Sequence, residues 1–421
     1  MRGLDIGVIG CGTAGSAAAL FLARAGHRVT VYERVASPGP VGAGITLQPT
    51  GLHVLCRLGL YEDVVARGAR IDRLLCETRS RKAVVDLSYR DVGEDLFGLG
   101  LHRGVLFEAL IGAALREPGI AIRTGIEVVD LARAGRDAPP WARASWFVDA
   151  AGVRHGPHEL VVVADGARSQ LRDDTSTSKR IEPYPWGALW FVGKDARAED
   201  APAARTLHQI ADTNQRFLGL LPTGCPPRGQ EDARLVSLFW SIRGDRVAAW
   251  RARGLDAWKE EVRELAEEAG PVLDQIDDID QVLYAGYHDV VMHRWHTRNV
   301  VYLGDAAHAT SPQLGQGCNL ALWDAMELSD AIAAERRDLA RALERYSRRR
   351  EGHLGFYQVA TRWLTPFFQG DIAPLGGLRD AAMPTLCRIP FFRRLMTLSM
   401  LGVMDGFAGQ TLKLRLPVQA Q

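Results

Sequence analysis

Several short stretches of this chain carry residue types at spacings that chemistry could use. Gly10-Cys11-Gly12-Thr13-Ala14-Gly15 places three glycines as Gly-x-Gly-x-x-Gly, and Glu33 ends the next apolar run. In such a loop Gly10 permits a tight turn, Gly12 lets a diphosphate approach the main chain, and Gly15 lets helix and strand pack closely. The helix N-terminus that follows offers free N–H groups to an anion, and Glu33 stands where a ribose hydroxyl would sit. Further on come Arg103, then Asp165-Gly166-Ala167-Arg168-Ser169, then Gly304-Asp305-Ala306-Ala307-His308, then the glycine-rich Ser311-Pro312-Gln313-Leu314-Gly315-Gln316-Gly317-Cys318-Asn319.

The elements that must position these residues are legible as hydrophobic patterns. Asp5 to Ile9 reads as a short buried strand, Ala14 to Ala25 as a helix and Arg28 to Glu33 as the next strand, which together make a βαβ unit. Glycine spacing alone would fit an ordinary turn; the strand before it, the helix after it and the acid beyond favour a dinucleotide site. Glu159 to Gly166 is an apolar strand ending in Asp-Gly, and Asn299 to Asp305 repeats that pattern, as expected of buried parallel strands opening onto a site.

Other segments divide the chain. Gly42 and Gly44 lie in a Gly/Pro-rich loop and suggest backbone close against something flat or bulky. Helices are expected over Thr50 to Leu58 and Tyr61 to Arg67, and a hairpin over Ile71 to Glu77 and Lys82 to Leu87 that belongs to another sheet. An amphipathic helix runs to about Leu115 and a strand restarts at Ile120 to Thr124. A β-meander near Glu127 to Leu131 and Ser145 to Asp149 flanks a polar Pro-Pro loop. Short strands at Ala188 to Val192, Thr206 to Ile210, Arg216 to Leu221 and Leu235 to Trp240, with helices at Asp245 to Ala252 and Asp256 to Ala269, predict a mixed or antiparallel sheet covering the nucleotide domain. Helices follow at Gly317 to Ala334 and Leu339 to about Phe367, and the tail is apolar in patches broken by Pro374, Pro384 and Pro390. The expected layout is a discontinuous cofactor domain (1–75, 97–179 and 283–345), an inserted sheet domain (76–96 and 180–282) and a helical C-terminal region (346–421).

Composition bounds the partners. The 421 residues hold 51 basic and 50 acidic side chains, a balance that argues against nucleic-acid binding by broad electrostatics and for small molecules. Six cysteines without a CxxC pair suggest neither a disulfide framework nor a zinc site and fit a reducing, cytoplasmic setting. Asp5 and the glycine loop interrupt the N-terminal apolar run, against a secretory signal. No apolar run approaches the ~20 residues of a spanning helix. Arg388 to Met396 mixes basic and bulky apolar residues, so contact with a membrane surface is weighed there against core packing, which is preferred. His288, His293 and His296 fit no zinc spacing, no metal is expected, and His308 reads as a packed or hydrogen-bonded residue. Trp186, Trp190 and Trp240 are candidates for a substrate pocket or for core.

Taken in order from residue 5 to about 345, these motifs resemble the single-component FAD-dependent monooxygenases similar to para-hydroxybenzoate hydroxylase. The resemblance implies an α/β fold with a Rossmann-like FAD-binding domain, its parallel sheet carrying a β-meander, an inserted mixed β-sheet substrate domain and a helical C-terminal region. It implies that Gly10, Gly12, Thr13, Ala14, Gly15, Glu33 and Arg34 hold the ADP half of FAD, and that Gly44 and Arg103 border the cofactor, Arg103 at the diphosphate. Asp165 and Gly166 are implied in contacts to FAD and the pyridine nucleotide, and Gly304 and Asp305 in binding the ribityl or diphosphate portion. Pro312, Gly315, Gly317, Cys318 and Asn319 would edge the isoalloxazine ring. Independently of the resemblance, a helix starting near Gly317 would point its N-terminus at whatever lies over these glycines and would favour negative charge on a reduced ring.

The implied activity uses NADH or NADPH as a transient reductant and O2 to hydroxylate an aromatic or similarly electron-rich apolar small molecule through a flavin C4a-hydroperoxide, with no dedicated catalytic side chain identified. One fingerprint only means the nicotinamide has no βαβ unit of its own. Alternatives are an epoxidase or a flavin-dependent halogenase, the latter lacking its Trp-x-Trp-x-Ile-Pro element here, and a non-catalytic flavin-binding protein. The expected assembly is a monomer or homodimer. Trp323, before Asp324, departs from the polar residue often found there and would alter packing beneath the ring.

Overall fold

Asp5–Ile9, the first apolar run, lies inside a six-stranded sheet in the computed structural model, which describes residues 3–132, 145–172, 178–335 and 338–417. The sheet order is His296–Thr297, Val300–Tyr302, Leu160–Val163, Asp5–Ile9, Arg28–Glu33, Ile120–Thr124, with every pairing parallel except the edge hairpin of His296–Thr297 on Val300–Tyr302. Val161, Val162, Val8 and Val29 are completely buried, so these strands are covered on both faces, as continuous Val/Ile runs require. One cover is the first helix, Thr13–Arg24, whose run of alanines packs in the same core as the Gly317–Ala334 helix. The other is a three-stranded antiparallel sheet of Val128–Ala132, Ser145–Asp149 and Arg154–His158. His158 seats this second cover: its ring fills the space a side chain at Gly7 would take, and its Nε2 lies 3.0 Å from the Tyr32 hydroxyl. The Pro-Pro loop expected inside the meander lies outside the described residues.

A seven-stranded mixed sheet forms the second layer system, in the order Leu283–Met292, Ser178–Lys194, Leu235–Arg243, Arg216–Gly224, Thr206–Asp212, Arg73–Thr78, Ala83–Ser88. Its outer face carries Leu189, Trp240, Leu218, Leu220 and Ile210, packed under the Val247–Arg253 and Leu255–Leu265 helices through Trp250, Trp258 and Val262. A small sheet of Gly44–Leu47, Gly98–His102 and Ala69–Ile71 joins the two systems. Gly100 is one reason they approach so closely, since a Cβ there would strike the Pro222 carbonyl.

Three expectations change. The run Ile71 to Glu77 is two strands, not one: the chain leaves the small sheet at Asp72, whose carboxylate takes a 2.7 Å hydrogen bond from Arg70 Nε and whose carbonyl accepts from Tyr89 N–H, and re-enters the large sheet at Arg73. Arg154–His158 and Leu283–Met292 are strands that alternation did not reveal: the first is the polar arm of a hairpin with Ser145–Asp149, and the second pairs with the distant Ser178–Lys194. In the tail, Pro374 and Pro390 open helices (Pro374–Arg388 and Pro390–Met400) instead of breaking them, because a proline at the first turn removes only an N–H that has no intrahelical partner, while Pro384 lies inside its helix. Leu395, Met396 and Leu398 pack on the core, whereas Phe391 stays 70% exposed. Among the described residues no helix is long and apolar enough to cross a membrane.

Candidate active site

The glycine loop separates into two kinds of position. Gly10 has φ +95° and its Cβ direction runs into the Ala164 backbone, while a Cβ on Gly15 would collide with the Gly10 carbonyl. Both glycines are demanded by the fold itself. Gly12 differs: it is extended (φ −69°, ψ −170°), and a Cβ there would meet nothing within 4 Å. It N-caps the Thr13–Arg24 helix without any side-chain cap, so the helix's first N–H groups face open space beside a missing side chain. Glu33 is fixed at the edge of that space, its two oxygens accepting from Cys11 N–H (3.0 Å) and Val35 N–H (2.9 Å), while Arg34 is exposed.

Asp165 follows the Leu160–Val163 strand and touches the same loop, its Cα 3.1 Å from the Cβ position of Gly10. Its Oδ1 is buried without a hydrogen-bond partner, and burial pushes the carboxyl above its ordinary value. Arg172 fixes the turn after it, donating to the carbonyls of Gly166, Ala167 and Ser169 and, across the site, to those of Asp305 and Ala306.

Gly304 and Asp305 close the third wall. Space around Gly304 is scarce, with Ala14 Cβ at 3.0 Å and Ala321 Cβ at 3.2 Å from where its own Cβ would be, so the two small-residue helices meet here. Asp305 is exposed, and its Oδ1 is 3.9 Å from the Cβ position of Gly317, at the start of the Gly317–Ala334 helix. That helix also begins without a side-chain cap or an acid in its first turn. Burial pushes its Cys318 thiol up to about 12, with the Arg103 charge opposing the rise. Two uncapped helix N-termini therefore converge, one behind Gly12 and one behind Gly315, and both favour negative charge.

The remaining residues singled out from sequence fall into contacts of several kinds. Arg103 is exposed, and its Cδ lies 3.1 Å from the Cβ position of Gly42. Gly44 faces no open surface: a Cβ there would press on Ser237 Oγ and Thr223 Oγ1, and its N–H donates to Ser237 (3.0 Å), so this glycine serves the junction with the large sheet. Asn319 is fully engaged in structure, accepting from Gln48 N–H (2.8 Å) and donating to the carbonyls of Thr46 (3.1 Å) and Gly315 (3.0 Å). It shapes the turn in which Gly315 adopts φ +61° with open space around it, and Pro312 is exposed. Trp240 is outer-face core, and Trp323 packs between His53 and His353. His288 lies on the edge strand Leu283–Met292, and no group of acidic, His or Cys side chains among the described residues could hold a metal.

Sequence reading passed over the buried network that holds this wall. Asp324 accepts from Gly304 N–H (2.8 Å) and pairs with His308 Nε2 (2.6 Å) through Oδ2 and with Arg350 Nε (2.7 Å) through Oδ1. Burial opposes its ionisation, yet His308 and Arg350 outweigh that and hold the carboxyl at about 2. Arg350 also contacts His353, whose Nε2–H donates to the Gly402 carbonyl (2.8 Å) and ties the tail to the site. A usable signal existed: Asp324 stands within the otherwise apolar Ala321-Leu322-Trp323-Asp324-Ala325-Met326.

Burial, reinforced by Arg350, holds the His353 imidazole well below its ordinary value. The unfolded chain takes up that proton near pH 6.5 and the folded chain does not, so this stability is present above that pH and lost as pH falls below it, by up to ~1.4 kcal/mol per pH unit. Thermal unfolding followed from pH 7 to pH 5 should show the loss, with a shallower slope in His353→Gln. An unchanged slope would remove His353 from the account.

Comparison with known proteins gives these shapes a context. Residues 3–354 match the family described as FAD binding domain. A 3-amino-4-hydroxybenzoate 2-monooxygenase of Streptomyces cremeus is 30% identical over 352 residues, covering 79% of each chain. A probable 2-heptyl-3-hydroxy-4(1H)-quinolone synthase, AqdB2 of Rhodococcus erythropolis, is 28% identical over 346 residues, 81% of this chain and 82% of that one. The crystal structure of PqsL of Pseudomonas aeruginosa in complex with 2-aminobenzoylacetate superposes with a TM-score of 0.75 at 22% identity, over 91% of this chain and 99% of that one, a likeness of fold.

Proposed function

As a member of the FAD binding domain family the chain is an FAD-dependent monooxygenase using NADH or NADPH and O2, and we propose that it hydroxylates the ring of an electron-rich aromatic small molecule at the site just described. The observation that carries the placement is the convergence of the Thr13 and Gly317 helix N-termini on space bordered by Gly12, Asp165 and Gly315. The residues present fit FAD. Gly12 leaves room for a diphosphate against the first helix, and the unpartnered Asp165 Oδ1 needs a donor such as a cofactor hydroxyl.

When bound, FAD would supply the redox chemistry, accepting hydride from nicotinamide and giving the two electrons to O2. The chain does the rest. Glu33 keeps lone pairs free beyond the two backbone N–H groups it accepts, enough to take ribose hydroxyls. The uncapped Gly317 helix N-terminus would stabilise negative charge on a reduced cofactor, and Gly315, with open space around it, would leave room for one. The large sheet, which meets the cofactor layer where Gly44 packs on Ser237 and Gly100 on Pro222, would limit water at the site and so protect a reactive oxygen species from wasteful decay. In this reading residues 1–75, 97–179 and 283–345 form the Rossmann-like cofactor domain, 76–96 and 180–282 the substrate domain and 346–421 the helical C-terminal region, corrected in that Arg73–Thr78 and Leu283–Met292 are strands of the large sheet and go with the substrate domain; the six free cysteines suit a cytoplasmic enzyme.

The purified protein should be yellow, with stoichiometric FAD, and phenolic substrates should accelerate its oxidation of NADH or NADPH. Mass spectrometry with isotopically labelled O2 should find one labelled oxygen atom in the product. A chain that stays colourless after reconstitution with FAD would sink the assignment; flavin binding without substrate-stimulated nicotinamide oxidation would favour a non-oxygenase role.

A further inference from the structure

The inner face of the large sheet has a row of side chains that the cofactor site does not use. Outer-face residues alternate with inner ones along each strand, so the neighbours of Leu189, Trp240, Leu218 and Ile210 point inward. Pairing places Trp190 opposite Phe239, Phe239 opposite Gly219, and Gly219 opposite Gln209 in one continuous row. The rows on either side are tied down. Ser237, in one, accepts from the N–H of Gly44, and Ser241, in the other, accepts from Gln369 Nε2 at 3.1 Å. Gln369 ends the long Leu339–Phe368 helix, whose Thr365 hydroxyl bonds Ser311 (2.7 Å) next to Pro312. The middle row thus spans the gap between the Gly44 loop and the Pro312 loop and carries the large side chains left open there: Trp190, Phe239 and Gln209 are half-buried, while Ala188, Ser241 and Phe217 on one side and Ser237 and Leu221 on the other are buried, with Val192 half-buried at the end of the Ser237 row.

The chemistry of the open row is narrow. Phe239 lies flat across its strand partner because Gly219 has no side chain to lift it, and its ring tilts toward Trp190 with centroids 5.2 Å apart. Past Gly219 the row runs through Gln209 to the buried Cys76 of the Arg73–Thr78 strand, and the Gln209 amide makes no hydrogen bond among the described residues. Neither this row nor its two neighbours carries an Arg, Lys, His, Asp or Glu, and Arg243 at the strand end is held by Asp245 and Asp371. We propose that this row is the substrate wall and selects an uncharged, flat aromatic compound, its ring lying along Phe239 and Trp190 and its hydroxyl or carbonyl group meeting the Gln209 amide. An aromatic carboxylate lying on these rows would lose its water and meet no cationic side chain among them.

This inference rests on the FAD-monooxygenase reading, and its test separates the two. A matched pair of probes, 2-naphthol and 6-hydroxy-2-naphthoate, differs by one carboxylate. Titrated into the yellow protein and followed by flavin absorbance and tryptophan fluorescence, the naphthol should bind about 100-fold more tightly than the acid. Phe239→Ala should weaken naphthol binding by about tenfold. Gln209→Arg, which supplies the missing cation, should bring the two dissociation constants together. Equal binding of the two probes to the wild-type protein, or binding of neither to protein that carries FAD, overturns the proposal. A protein that never takes up FAD overturns the earlier reading and this one with it.

Discussion

Replacing Gly12 with aspartate is expected to yield a folded chain that has lost FAD, with affinity lower by about 1,000-fold. The three glycines of the loop are not equivalent, and that is why this variant is informative. A side chain at Gly10 must adopt a left-handed backbone, and one at Gly15 would drive into the Gly10 carbonyl, so either change damages the junction of the first strand and helix. Gly12 already has extended dihedrals open to any residue, and its Cβ would stand clear of every neighbour. A carboxylate there would occupy the approach to the helix N-terminus and repel a diphosphate at close range. Aspartate is also a favourable N-cap, so the apoprotein should melt as high as the wild-type apoprotein or slightly higher. Gly12→Ala should show a milder loss from bulk alone. FAD content from the visible spectrum, set beside the melting temperature of apoprotein, reads both quantities; a yellow Gly12→Asp protein with wild-type affinity would show that the diphosphate lies elsewhere.

The same loop shows what sequence can and cannot reveal. Its glycines, the flanking apolar strand, the small-residue helix and Glu33 are local signals, each set by neighbours a few residues away, and the structure builds the turn from them as expected. The Asp-Gly and Gly-Asp strand ends are legible for the same reason, being apolar runs that stop at an acid. Long-range packing is a different matter. Gly44 looks like a residue kept small for a ligand, but its space is taken by Ser237 and Thr223, which are far along the chain. Asn319 looks like a ring-edge residue, yet its amide is used up in bracing the Gly315 turn. Leu283–Met292 has a weak strand pattern and exists because the distant Ser178–Lys194 offers it an edge, whereas Arg154–His158 is the polar second arm of a local hairpin with Ser145–Asp149. The aromatic row of the large sheet depends on registers between strands that no pattern within one strand encodes. Trp186, Trp190 and Trp240 therefore look alike in sequence, and only pairing separates outer core from inner wall.

Asp324→Asn should cost about 3–5 kcal/mol of folding stability, because it leaves the Arg350 guanidinium buried with no opposing charge. Urea unfolding of the apoprotein would measure it. The wild-type carboxylate adds a pH signature. Its folded value is depressed to about 2 while the unfolded carboxyl sits near 3.9, so the unfolded state binds more protons in between. Its contribution is complete above about pH 4 and is lost as pH falls toward 2, a change of roughly 2 kcal/mol that Asp324→Asn should lack. The double variant Asp324→Leu with Arg350→Met removes both charges and should recover much of the stability, since a buried pair replaced by apolar groups is often no less stable. It should not recover FAD binding. Asp324 also accepts the N–H of Gly304, and without that acceptor the turn presenting Asp305 to the Gly317 helix loses its anchor. A double variant that is both stable and fully yellow would reduce the network to a matter of packing; one that is stable and colourless would show that the buried charge is kept to hold the cofactor wall in register.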